Sequence, residues 1–256
     1  MVRAWRGFSS MSNWMRPKLH LLAPLFGRSY VKKVLQIDYA NLIGYWPMNE
    51  ASGAVAVDRS SQGNDGAYTG VTLAGAAGPD AKPCPYFDGA NDYNDIYSAA
   101  FNTDFSGAEG TIAIWCKVNA AGIWTDGSFH YIARIHVDAN NGLFINKSAV
   151  NNRIIYIYEA GGVTEQNNLD AISTTDWFHL AMTWSAAADE VNYYYNGAAE
   201  PTDTVLGVWA GNLDNTATMI GNQTVGSPNT WHGWLAHPAV WKTPLTSDQI
   251  AKLAVV

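Results

Sequence analysis

Period-two alternation of apolar side chains is the feature that most constrains this chain. Phe178-His-Leu-Ala-Met-Thr-Trp184 puts Phe178, Leu180, Met182 and Trp184 on one side and His179, Ala181 and Thr183 on the other. Thr111–Val118 does the same with Ile112, Ile114, Cys116 and Val118, and Tyr131–Val137 and Arg153–Tyr158 follow the same rule. Successive side chains of an extended strand point to opposite faces, so each such segment is a strand with one face on a core. Turn chemistry separates them: Asn141-Gly142, Gly161-Gly162 and Asn196-Gly197 supply the positive-φ pairs that tight hairpins need. The clearest hairpin is expected at Asn141-Gly142, between two apolar runs. Roughly a dozen short strands with no long helical pattern predict an all-β, two-sheet antiparallel sandwich of the jelly-roll type. One short helix is predicted near the end. There Thr246-Ser-Asp-Gln249 has the form of a capping box, and Ile250 and Leu253 follow as an apolar edge. It is expected to seal one end of the sandwich.

Charge is sparse and segregated. Charged residues are 14% of the chain, against roughly 25% in an ordinary soluble domain, and 48% are hydrophobic, which excludes disorder for most of it. Residues 1–35 carry seven basic side chains and no acid; the first acid is Asp38. The rest carries eight basic groups against 22 acids, so a +7 leader precedes a −14 body although the whole chain is only −7. Such asymmetry points to a tail with a partner of its own. The expected organisation is a basic N-terminal anchoring arm over 1–37 and a body over 38–256. Trp5, Phe8, Met11 and Met15 recur at helical spacing until Pro17 stops the pattern, so the arm is expected to be extended or partly helical. The residues expected to touch a partner are Arg3, Trp5, Arg6, Phe8, Met11, Trp14, Met15, Arg16, Lys18, Arg28, Lys32 and Lys33. The other reading is a leader folded back on its own body. No stretch approaches the roughly 18 apolar residues of a membrane span. The acidic body excludes nucleic acid as its partner.

Seven motifs stand in order over about residues 40–254. They are Leu42-Ile-Gly-Tyr-Trp-Pro-Met-Asn-Glu-Ala-Ser-Gly53, Asp58-Arg-Ser-Ser-Gln-Gly-Asn-Asp-Gly66, Phe87-Asp-Gly89, Gly110-Thr-Ile-Ala-Ile-Trp115, the segment 177–184, Gly233-Trp-Leu-Ala-His-Pro-Ala-Val-Trp241 and the segment 244–253. The set resembles the laminin-G-like jelly rolls of the concanavalin A-like lectin/glucanase superfamily. The resemblance implies two stacked antiparallel sheets and fixes no function. In some relatives the segment resembling Asp58–Gly66 helps to bind calcium, and Asp58 and Asn64 offer oxygen ligands of the right kind. Many relatives carry an Asp-Glu pair where this chain has Ala236-His237, which takes two carboxylates away. The other reading is that Asp58 and Asn64 cap their own loop through side chain–backbone hydrogen bonds. Calcium is the one cofactor considered; no other is expected.

Catalysis is not expected. Glucanases of the superfamily place carboxylates on alternate residues of one strand, as Glu-x-Asp-x-Glu, so that acid and nucleophile face the sugar together. This chain has no such stretch, and no Gly-x-Ser-x-Gly, His-Glu-x-x-His or phosphate loop. The six His are scattered, with His20 and His130 expected at the surface. Cys116 is expected as a buried thiol, and its pairing with Cys84 is left open.

Two functions remain. A basic leader before a jelly roll resembles the single-domain laminin-G-like proteins of tailed bacteriophages. That resemblance implies a virion structural protein, a capsid decoration or tail module assembled in the host cytoplasm. Its partner would be the major capsid or tail protein, and it would be a homo-oligomer, with a trimer as the form suggested. The alternative is a lectin or adhesin for host-surface glycan. Sugar rings stack on rigid aromatic faces, and Trp124, Tyr156 and Tyr158 would form such a platform if exposed together. If they are not, Tyr156 and Tyr158 pack against the second sheet or a subunit interface.

Overall fold

The computed structural model describes residues 29–256. In chain order the described strands are β1 (Leu42–Tyr45), β2 (Val55–Ala56), β3 (Gly66–Thr69), β4 (Thr72–Ala77), β5 (Pro83–Asp88), β6 (Tyr93–Asp95), β7 (Glu109–Val118) and β8 (His130–Asp138). They continue with β9 (Asn141–Lys147), β10 (Ile154–Ala160), β11 (Val163–Leu169), β12 (Phe178–Ser185), β13 (Glu190–Tyr195), β14 (Ala198–Ala199), β15 (Met219–Ile220) and β16 (His232–Trp241). Three short helices accompany them: α1 (Tyr30–Val34), α2 (Ala99–Asp104) and α3 (Ser247–Leu253). One sheet runs β14-β13-β12-β7-β16-β5-β4, with β1 also paired to β16; the other runs β11-β10-β9-β8-β15-β6-β3-β2. Every strand pair in both is antiparallel. The fold is the all-β sandwich that the alternation predicts.

The space between the sheets is filled by the inward half of each alternating strand. Ile112, Ile114 and Cys116 of β7 and Phe178, Leu180, Met182 and Trp184 of β12 meet Ile132, Leu143, Ile145, Tyr156 and Tyr158 of the second sheet. Each large side chain removed from water contributes about 1.5–3 kcal/mol, before entropy is counted. Trp184 stands over Gly110 on β7, where a Cβ would come within 2.4 Å of the indole, so glycine is what lets the strand pass under it.

A second apolar cluster lies on the outer face of the first sheet. Leu42, Tyr45, Ala113, Trp115, Ala181, Tyr194 and Trp241 point away from the sandwich centre and are covered by Tyr30, Val34 and Ile37 from one side and by Ile250 and Leu253 from the other. Hydrogen bonds lock this cover. The Tyr30 hydroxyl donates to the Leu253 carbonyl (2.6 Å) and accepts from Trp115 Nε1 (2.9 Å), and Trp241 Nε1 donates to the Ile37 carbonyl (2.9 Å).

Three expectations change, and one open alternative closes. The boundary expected after residue 37 moves: Tyr30, Val34 and Ile37 are buried in the second cluster, so residues 29–37 are part of the packed body. Helix α3 has the expected capping box, with Gln249 N–H on Thr246 Oγ1 and Gln249 Oε1 on the Thr246 N–H. It lies on the outer face of the first sheet rather than across an end, because Ile250 and Leu253 find their apolar partners there. The β8–β9 hairpin exists, but Asp138 pairs with Asn141, so the turn is Ala139-Asn140 and Asn141-Gly142 opens β9. Asn141 is kept out of the turn by its side chain, whose Oδ1 accepts from Gly161 N and Ala210 N and whose Nδ2 donates to Asp138. Finally, Cys84 belongs to the outer cluster and Cys116 to the inter-sheet core; both are free thiols on opposite faces of one sheet.

Candidate functional site

Among the described residues, the cover on the first sheet stops partway. Next to it, on the same outer face, Tyr86 of β5, Trp234 of β16 and Lys117 of β7 form a row, with Trp234 paired to Tyr86 on one side and Lys117 on the other. Phe87, Leu235 and Cys116 turn inward to the core, and the pleat therefore sends their neighbours Tyr86, Trp234 and Lys117 outward. All three are half-buried. Trp177 falls on the same face, since Phe178 pairs with Cys116 and the preceding residue faces Lys117 in that register. Gly233 brings the strands close enough for this. It sits at φ +150, and a Cβ there would stand 2.1 Å from the Lys117 carbonyl oxygen.

The Tyr86 and Trp234 rings lie 5.2 Å apart at 49°, and the Lys117 ammonium stands over the Trp234 ring, 5.6 Å from its centroid. His232 borders the row, paired in register with Asp88. Its Nε2 meets the Tyr86 hydroxyl at 3.1 Å and the Asn119 amide at 3.2 Å. Burial, then the nearby His130, holds the His232 ring below its usual range, so it is uncharged at neutral pH. Burial first, then Asp88 and Asp92, push the Tyr86 phenol up, so it stays a neutral donor. The result is an aromatic shelf of two rings tilted to one another on rigid strands, with a cation at one end and hydrogen-bonding groups at the other. Such a surface suits a ligand with one apolar face and a polar edge.

The residues expected to form a glycan platform lie elsewhere. Tyr156 and Tyr158 are fully buried, and Trp124 is 1% exposed. Tyr156 donates to the Tyr194 carbonyl at 2.7 Å, Tyr158 to the Gly107 carbonyl at 2.6 Å and Trp124 Nε1 to the Thr174 carbonyl at 2.8 Å. Their polar ends are satisfied inside, so these three are core, and Ile155 and Ile157 take the half-exposed face of β10.

Asp58 and Asn64 cap their loop. Asp58 Oδ1 accepts from Tyr45 N and Ser60 N, and Oδ2 accepts from Ser60 Oγ and Asn64 N. The Asn64 Oδ1 accepts from Ser98 Oγ, and its Nδ2 donates to the Ile43 carbonyl. Protein donors already hold these oxygens, so the loop does not fit calcium. Among the described residues no group of three His, Cys, Asp or Glu side chains could hold a metal ion. His237 points into the covered cluster, against the Tyr30 and Tyr45 rings. It bonds the Tyr45 hydroxyl (2.9 Å) and lies 3.5 Å from Asp80.

Of the arm residues, Lys32 and Lys33 are described. Lys32 is exposed on α1, and Lys33 donates to the Val255 carbonyl. Arg3, Trp5, Arg6, Phe8, Met11, Trp14, Met15, Arg16, Lys18 and Arg28 lie outside the described residues, as does His20. His130, expected at the surface, is 5% exposed. Its Nε2 bonds Asp126 (2.6 Å) at the surface, and the other Asp126 oxygen holds the fully buried Lys147 ammonium at 2.6 Å. Burial alone would raise the Asp126 carboxyl, but Lys147, the Ser128 amide and His130 together leave it below the usual carboxylate range. The cluster ties the segment after β7 to β8 and β9. Tyr86, Trp234 and Lys117 are not among the site residues expected from sequence. Their signal is present in the alternation, since Tyr86 precedes the inward Phe87 and Trp234 precedes the inward Leu235.

Solved structures with the same fold include three toxin binding domains. The binding domain of Paraclostridial mosquitocidal protein 1 is 15% identical with a TM-score of 0.64, over 84% of this chain and 52% of that one. The botulinum neurotoxin serotype D binding domain is 14% identical with a TM-score of 0.62, over 86% and 52%. The binding domain of botulinum neurotoxin DC, solved in complex with rat synaptotagmin II, is 15% identical with a TM-score of 0.60, over 84% and 51%. The chain thus spans about half the length of these structures, and at such identities the likeness is one of fold. A search of curated proteins found no match. The family model described as the concanavalin A-like lectin/glucanases superfamily matches residues 87–251, which include β7, β12 and β16, and the chain belongs to that superfamily.

Proposed function

We propose that the protein is a non-catalytic recognition module that holds a glycan on the Tyr86–Trp234 shelf. The observation that carries this reading is the half-buried aromatic pair on rigid strands, bordered by Lys117, His232 and Asn119. Its superfamily and its likeness in fold to toxin binding domains support a binding role over a catalytic one. So does the absence from the sequence of alternating catalytic carboxylates. The test is a glycan array probed with the full chain and with Trp234→Ala. Retained fold with loss of all array binding is the expected result. Binding that survives Trp234→Ala places the site elsewhere, and no binding by the intact chain across a broad array defeats the reading.

One observation favours a second role beside the first. Five basic side chains and no acid in residues 1–28, ahead of a packed body of net charge −12, fit an anchor for an acidic surface. On that reading the protein is a virion component docked through its leader to a capsid or tail protein, with the jelly roll turned outward towards host glycan. In the full chain, changing Arg3, Arg6, Arg16 and Lys18 to glutamate should abolish co-sedimentation with particles. Unchanged co-sedimentation sinks the anchor.

A further inference from the structure

We infer that the shelf selects sugars bearing a carboxylate, such as uronic or sialic acids, over their neutral counterparts; this rests on the glycan reading above. Lys117 carries the inference. Its ammonium stands over the Trp234 ring, and it makes no ion pair with any described residue. It does so in a body of net charge −12, where carboxylates are plentiful. Cation and ring hold one another in the free protein, an attraction that grows as water is excluded.

Any sugar that stacks on Trp234 must take the place of that ammonium. A neutral pyranose offers the ammonium only a neutral hydroxyl oxygen in return, so most of the lost cation–ring contact is set against its stacking. A carboxylated ring gives the displaced ammonium a charge-assisted hydrogen bond, which is among the stronger kinds. Displacement then becomes an exchange. The same side chain that guards the ring against neutral sugars becomes the contact that holds an acidic one.

The other end of the row fixes orientation. Asp88 faces His232 in register, and the buried Asp92 accepts the Asp88 N–H at 2.8 Å. Both acids lie near enough to Tyr86 to raise its phenol further, after burial has done most of it. A carboxylate is repelled there, whereas hydroxyl groups can donate to Asp88. A bound acidic sugar therefore sets its carboxylate at Lys117 and its hydroxyl edge towards Asp88 and His232.

The test is titration calorimetry on the full chain with galacturonic acid oligomers and their methyl esters, and with sialyllactose and lactose. The acidic member of a pair should bind about tenfold more tightly at low salt, and high salt should shrink the gap. Lys117→Gln should bring acid and ester to equal affinity, the ester gaining because nothing guards the ring. Equal affinity of both forms for the unaltered chain, with both lost in Trp234→Ala, overturns the inference and leaves the glycan reading standing. A preference that persists in Lys117→Gln overturns it also, as does a failure of every acidic sugar to bind while neutral glycans bind through Trp234.

Discussion

Two halves of one sheet face have met the same problem in opposite ways. On the first sheet's outer face, the half built by Trp115, Ala181, Tyr45 and Trp241 is closed by α1 and α3. The half built by Tyr86, Trp234 and Lys117, a step along the same strands, is left half-buried by the described residues. In the closed half each indole N–H has a partner, Trp115 on the Tyr30 hydroxyl and Trp241 on the Ile37 carbonyl. In the other half Trp234 is only half-buried as a residue, and its Nε1, although buried, has no hydrogen-bond partner among the described residues. An aromatic row is therefore core where a lid supplies apolar area and acceptors, and a candidate binding surface where the lid stops. The strand between the halves marks the change. Ala236 pairs with Trp115 and Ala239 with Ala113, a step of three residues on β16 against two on β7, so one extra residue is absorbed at His237-Pro238. His237 sits there at φ +55, in the left-handed region.

Removing the lid should break the comparison most severely. Tyr30 is 5% exposed and joins α1, α3 and Trp115 through one hydroxyl. Tyr30→Ala takes away that ring and leaves a carbonyl and an indole N–H unpaired, a loss of about 3–5 kcal/mol. Urea denaturation should show it, and Trp115 should become accessible to acrylamide quenching. A loss under about 1 kcal/mol would mean that residues 29–37 are an appendage and not part of the body.

The histidines of the two halves should differ with pH. His179 lies in the closed half, 5.2 Å from the Trp115 ring, and its burial pulls the imidazole down from 6.5 to about 3. Below about pH 6.5 the unfolded chain binds a proton that the folded one refuses. Stability therefore falls as pH falls, by up to about 1.4 kcal/mol per pH unit, until the folded value near 3 is reached. Between about pH 7 and about pH 5 the loss is about 2 kcal/mol. His232 in the other half and His136 on β8 are lowered chiefly by burial and act in the same direction. Urea midpoints across this range should fall more steeply for the unaltered chain than for His179→Gln. Identical slopes would show that the closed half is wetter than its packing indicates.

Much of this was legible in the alternation, and the failures share one cause. Period two assigns residues to two faces without saying which face is inside. For β7 and β12 the faces differ enough in character to decide it. For β10 both are apolar, Ile155 and Ile157 against Tyr156 and Tyr158, and the tyrosines win the interior because the Tyr194 and Gly107 carbonyls await their hydroxyls. Those acceptors come from distant segments, so no local pattern announces them. The bulge at His237 is hidden for a similar reason, since an inserted residue reverses the alternation only when its partner strand is known. The Asp58 loop was readable in kind, with both a calcium ligand set and a cap open. The four donors on one carboxylate decide it. The shelf needed only the phase set by Phe87 and Leu235.

The smallest expected effect on stability is the sharpest test of the contrast. Trp234 and Trp115 face the same way on adjacent paired strands, yet one is half-buried and the other is 7% exposed. Trp115→Ala should cost about 3–5 kcal/mol, as a buried aromatic does. Trp234→Ala should cost about 1 kcal/mol, since the ring is only half-buried and its buried N–H has no hydrogen bond among the described residues, although it packs on the edge of the covered cluster as well as on Tyr86 and Lys117. Paired urea melts measure the difference. If the two costs are equal, Trp234 is structural and the shelf loses its claim to a ligand. If Trp234→Ala melts like the parent, a large aromatic has been kept on a half-buried face without a stabilising role, and recognition is the role that remains for it.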